Sequence, residues 1–135
     1  MKIEPIPGTD TYRLCEDEVY FYKGKKYTIR KGKISDGASI PRFGWLFSTT
    51  PYHPTVIRGA FAHDDHYEKQ TISKKLADKI AHYLWLEDGT EKQVAKNMYD
   101  SVRDFGGPAW RRCKKKLKKA EDSKKSTGGK KDKKA

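Results

Sequence analysis

Ala60-Phe61-Ala62-His63-Asp64-Asp65-His66-Tyr67 decides how this chain is read. Four ionisable groups and a tyrosine fill two helical turns, directly behind the apolar lead-in Val56, Ile57, Ala60 and Phe61. A helix that enters an interior and then presents His-Asp-Asp-His is costly to bury unless those groups are paired or bind something. The stretch therefore predicts both a central helix and a site. His63 and Tyr67, four apart, share a face; Asp64 is offset by about 100°, and His66 follows His63 by three. A neutral imidazole accepts a proton from water, and a neighbouring carboxylate holds it in one tautomer or binds a cation. The blander reading packs His63 and Tyr67 in the core and leaves Asp64, Asp65 and His66 to water.

Outward from this block, the periodicity predicts a first helix from Pro54 or Thr55 to Lys69, since a proline is tolerated where its missing N–H has no partner anyway. A second helix follows from about Ser73 to Leu86, with Leu76, Ile80, Tyr83 and Leu84 on one side. Asp78 lies off that stripe, on the side of Ala81 and Trp85. It is either a carboxylate paired with Lys74 or Lys75, or a group that reaches the first helix and orients His63. Thr90, with Gln93 three residues on, predicts the capped start of a third helix. Its core stripe is Val94, Met98, Val102 and Phe105, and Gly106-Gly107-Pro108 stops it. Residues 109–120 extend as a basic helix, and residues 121–135, rich in Ser, Gly, Lys and Asp, are expected to be disordered.

Before the block, Tyr12–Cys15 reads as a short strand, and Val19–Tyr22 and Tyr27–Arg30 as a hairpin with the four-residue loop Lys23–Lys26. Ile34 starts another strand. Residues 1–10, with Pro5, Pro7 and Gly8, read as an extended lead-in. Asp36-Gly37-Ala38-Ser39-Ile40-Pro41-Arg42 is an ordered turn, extended before its proline. Asp36 there offers a hard oxygen ligand or simple turn chemistry with Ser39, and Arg42 a phosphate contact or a carboxylate partner. The fold class is α+β: a small N-terminal antiparallel sheet followed by three helices in a single domain over residues 1–110, with a lysine-rich tail over 111–135.

The 135 residues suit one domain. The net charge of +12 is carried mostly by the tail, where thirteen Lys/Arg meet three Asp/Glu and leave about +2 for residues 1–110. All three Trp, eight Tyr and five Phe lie in residues 1–110. The tail's lysines would attract nucleic acid or an anionic surface without sequence preference, or serve as a solubilising end. Few aromatics interrupt them, so base stacking is not indicated. Cys15 and Cys113 have no metal-ligand spacing and read as two reduced thiols. No segment has the roughly 18 apolar residues of a membrane span. Met1–Gly8 has no apolar run of signal-peptide length. A cytosolic setting fits these features best.

The pattern resembles a family of small tailed-bacteriophage proteins of unknown function. Three blocks carry it: Asp36–Arg42, the Ala-x-x-His-Asp-x-x-Tyr of Ala60, His63, Asp64 and Tyr67, and Ala77-Asp78. Val102–Gly106 also fits. The resemblance implies a phage or prophage origin, a location in a host cytoplasm or a virion, and a phage or host protein as partner, and brings no activity. A more local resemblance is to the phospholipase A2 site, where a histidine activates water, the adjacent aspartate binds calcium, and a later aspartate and a tyrosine hold the histidine. It implies His63, Asp64, Asp78 and Tyr67 in those roles, calcium as the cofactor, and an ester or phosphoester substrate. That family's glycine-rich calcium loop and disulfides have no counterpart here, so Asp36 would have to supply the second cation ligand. Zinc is the rival metal if His63 and His66 both bind. The competing expectation is a non-catalytic phage protein whose His/Asp cluster is a buried packing network.

Overall fold

The computed structural model describes residues 1–35 and 54–134, with side chains through Lys124. Five short strands precede four helices: β1 (Ile3–Pro5), β2 (Tyr12–Leu14), β3 (Glu18–Tyr22), β4 (Lys25–Ile29), β5 (Ile34–Ser35), α1 (Ile57–Lys69), α2 (Lys74–Glu87), α3 (Lys92–Phe105) and α4 (Gly107–Lys134). The expected α+β order holds, with one helix more than the three expected. The turn Asp36–Arg42 lies outside the described residues.

The strands form two antiparallel ribbons, β1-β2-β5 and β3-β4. The extended lead-in is itself a strand, with Ile3 opposite Leu14 and Pro5 opposite Tyr12. The hairpin turns on two residues rather than four. Lys23 and Gly24 both have positive φ, 48° and 79°, as a type I′ turn requires, and this matches the right-handed twist of the flanking strands. Tyr20 pairs directly with Tyr27, and their rings stack 5.4 Å apart.

α1 is the axis of the molecule. Nine consecutive residues, Gly59 to Tyr67, are buried. Its two apolar flanks feed two cores. Val56 and Ala60 join Ala81 and Trp85 of α2 and Ala95, Met98 and Val102 of α3. Phe61 and Ala62 join Leu14, Tyr20 and Ile29 of the strands and Ile80 and Leu84 of α2. α1 and α2 thus lie between the strands and α3. They pack closely because Gly59 has no side chain: a Cβ there would stand 2.5 Å from Trp85 Nε1. That indole N–H donates to the Val56 carbonyl at 3.0 Å.

Several boundaries differ from expectation for local reasons. α1 begins at Ile57, and the Thr55 carbonyl accepts from the Thr90 hydroxyl at 2.8 Å. Thr90 is therefore committed across the fold, and Glu91 takes the N-cap position of α3. Ser73, where the second helix was expected to start, is the N-cap of α2 and accepts from the Leu76 N–H at 3.1 Å. On α2, Tyr83 is exposed and Trp85 is fully buried; on α3, Phe105 is exposed and Ser101 buried. Gly106 ends α3, but Gly107 at once begins α4, which runs to Lys134. Pro108 is compatible with this because it stands in the first turn, where its N–H is not needed.

Candidate functional site

Successive residues of an α-helix point about 100° apart, so the polar block on α1 sends each side chain to a different neighbour. His63 and Tyr67 turn toward α2. His63 Nε2 lies 2.7 Å from Asp78 Oδ1, and the Tyr67 hydroxyl donates to that same oxygen at 2.8 Å. Lys74, one turn before Asp78, donates to its other oxygen at 2.8 Å. The lysine also donates to the Val102 and Arg103 carbonyls at the end of α3, at 2.9 and 3.2 Å. Asp78 therefore makes both contacts open to it in the sequence, with Lys74 and with the first helix.

This cluster is buried. His63 and Tyr67 are 0% exposed and Asp78 is 2% exposed. Burial alone would push the Asp78 carboxyl up, but the hydrogen bonds from His63, Lys74 and Tyr67 hold it below the usual carboxylate range. The carboxylate stays ionised and the pair is locked. Burial, with Asp78 beside it, pushes the Tyr67 phenol far up, so it is a donor and not a nucleophile. The Tyr67 ring lies against His63 at 4.1 Å and meets the Trp110 indole edge-on at 5.1 Å. A Cβ on Gly106 would come within 2.6 Å of the Tyr67 hydroxyl, so that glycine leaves room for it.

Asp64 faces β5, where its Oδ2 accepts from the Ser35 hydroxyl. Glu68, one turn on, pairs with Lys33 of the same region. Asp65 is buried and pairs with Lys69 at 2.8 Å. His66 points away from Asp78. Its Nε2 is hydrogen-bonded to the Tyr20 hydroxyl, and its ring meets the Tyr20 and Tyr27 rings edge-on at 6.2 and 5.2 Å. Burial lowers its pKa to about 4, although Asp65 acts the other way, so His66 is neutral at physiological pH. None of the block's ionisable residues is left to water.

Of the residues singled out in the sequence, the fold unites His63, Tyr67 and Asp78. It sets Asp64 with Ser35 and His66 with Tyr20. Asp36, Ser39 and Arg42 lie outside the described residues. Among the described residues, no three His, Cys, Asp or Glu groups stand together as a cation site, and none of their helices is long and apolar enough to cross a membrane. Both cysteines are free thiols, and burial pushes the Cys113 thiol up, away from thiolate chemistry. Tyr20, Ser35 and Trp110 were not candidates in the sequence. Tyr20 follows the strand's alternation and reads as core, and nothing local links Ser35 or Trp110 to α1.

Residues 12–102 match the profile of a family described as "Protein of unknown function (DUF1353)". The chain is also similar to the uncharacterized protein y4iH of Sinorhizobium fredii (strain NBRC 101917 / NGR234), at 29% identity over 107 residues. That match takes in 78% of this chain and 44% of the relative, so the chain spans under half the relative's length. No solved structure matches. The family match takes in every strand but β1, all of α1 and α2, and α3 as far as Val102; α4 falls beyond it.

Proposed function

The chain belongs to that family of unknown function, and within it we propose a hydrolase of ester or phosphoester bonds whose general base is His63. One observation carries the reading. His63 Nε2 and the Tyr67 hydroxyl converge on a single oxygen of an ionised, buried Asp78. With Nε2–H given to Asp78, the proton-accepting atom of the ring is Nδ1. Water attacks the ester carbon or phosphorus while its proton passes to Nδ1. Asp78 stabilises the imidazolium that forms, and the proton then goes to the departing alkoxide. Tyr67 and Lys74 fix the carboxylate, and so the ring plane. Positioned proton transfer of this kind contributes about 10²–10⁴-fold.

A calcium ion on Asp64 and Asp36 belongs to the proposal as a ligand to be titrated, with zinc as the rival, and no step above runs through it. A phage or prophage setting, in the host cytoplasm or in a particle, is part of the same proposal and rests on the sequence resemblance.

The test uses nitrophenyl ester and bis(nitrophenyl) phosphate probes with wild type and His63→Gln. The glutamine amide retains a donor for Asp78, so the variant keeps its fold. The expected result is turnover that falls at least 10²-fold with the melting temperature nearly unchanged. A calcium-dependent rise in melting temperature, lost in Asp64→Asn, would add the cation. The second reading is a packing network without catalysis, favoured by the complete burial of His63. Absence of turnover together with a loss of several degrees in His63→Gln would replace the hydrolase with that reading.

A further inference from the structure

We infer that α4 is a docking element for the phosphate backbone of double-stranded DNA, independent of the α1–α2 cluster. The helix is two-sided. Trp110 and Cys113 are partly buried, Trp110 against Tyr67, and the Trp110 carbonyl accepts from Gln70 at 2.8 Å. Leu117, one turn further on the same side, is 37% exposed. The seven cations between Arg111 and Lys119 are all exposed, and none of them is in an ion pair among the described residues. At 3.6 residues per turn they cover an arc of about 200° opposite the Trp110–Leu117 stripe. The helix runs on to Lys134 with six more lysines. From Arg111 that makes a basic rod of about 35 Å at 1.5 Å per residue.

The arc selects the partner. A flat anionic bilayer meets one side of a rod, so cations on the two edges of a 200° arc cannot all be neutralised there. Insertion into lipid needs an apolar face, and here the first turns of that face are turned on to the domain. A B-DNA major groove is about 12 Å wide and admits a helix between two walls of phosphate. It meets both edges of the arc at once. The deep, narrow major groove of A-form RNA excludes a helix, and the lack of aromatics on the arc leaves nothing to stack on single strands. Contacts to phosphate alone give affinity without sequence preference.

The test is fluorescence anisotropy of a 20-base-pair duplex with the full chain, at several salt concentrations. Two double variants carry it, Lys114→Gln/Lys118→Gln and Arg112→Gln/Lys116→Gln. They remove opposite edges of the arc, about 160° apart on the helix, and glutamine preserves helix propensity. The expected slope of log Kobs against log salt is about −0.9 per phosphate contacted, and each double variant should reduce its magnitude by about 2. Circular dichroism confirms that the helix remains. Vesicles of phosphatidylserine and phosphatidylcholine serve as the planar competitor and should displace the duplex poorly. The inference fails if only one edge matters, which is the signature of a flat surface. It fails if the vesicles bind at lower concentration than the duplex, and it fails if neither double variant changes the slope.

Discussion

His66 is a buried imidazole with its Nε2 tied to Tyr20, and its pKa of about 4 makes it a stability group. The unfolded chain takes up a proton at this residue as pH falls through about 6.5. The folded chain resists until about 4. The contribution of His66 to stability is therefore complete above pH 6.5, declines from there to pH 4, and is absent below. The difference amounts to about 3 kcal/mol, a large share of the 5–15 kcal/mol typical of a domain. Asp78, with its carboxyl held low, adds a loss of the same sign at still lower pH. Urea unfolding at pH 7.5 and 4.5 should show a smaller loss in His66→Gln than in wild type. Equal losses would remove His66 as the cause. At this scale the sequence was legible in kind: a His-Asp-Asp-His run behind apolar residues has to find partners. The partner of His63 could be named because Asp78 is on the next helix, 15 residues away. The partner of His66 could not, because Tyr20 is 46 residues away and its alternation in the strand already explained it as core.

Between elements, the close approach of α1 to α2 at Trp85 depends on Gly59. Gly59→Ala puts a methyl group 2.5–2.6 Å from the Trp85 ring, which is itself tied to the Val56 carbonyl. Such overpacking typically costs about 1–3 kcal/mol. The variant should lose stability in urea by that amount despite the better helix propensity of alanine; a gain in stability would show that the helices can part. Helix existence and order were readable from apolar spacing. Helix ends were less so, because a cap can be spent elsewhere. Thr90 had the side chain and spacing of a capping box, but its hydroxyl serves the Thr55 carbonyl. Likewise Lys23–Lys26 has the composition of a four-residue loop. The strands close on Lys23 and Gly24 because only those two residues need positive φ.

The whole molecule divides into a nearly neutral domain and a basic helix that leaves it after a few turns. Trp110 and Cys113 belong to the domain; beyond Leu117 no side chain described on α4 is even partly buried. Ending the chain at Lys119 should leave the melting temperature within about a degree, while ending it at Gly106 should lower it by several degrees, since the second cut removes Trp110 from the Tyr67 ring. Equal stability of the two truncations would mean that α4 contributes nothing to the domain. The charge asymmetry was plain from the sequence. A basic helix over residues 109–120 was readable too; past Leu117 no apolar stripe marks a helical period.

The polar spokes of α1 also bear on how the chain reaches this state. The partners that satisfy them come from before and after it in sequence: Tyr20 and Ser35 on one side, Asp78 on the other. A thirteen-residue helix is marginal alone, and this one would carry unpaired imidazoles and carboxylates into any half-built interior. No hairpin-plus-α1 or α1-plus-α2 fragment satisfies them all. Burial of α1 is therefore favourable only when the strands and α2 are both in place, and loss of either leaves its polar groups without partners in the interior.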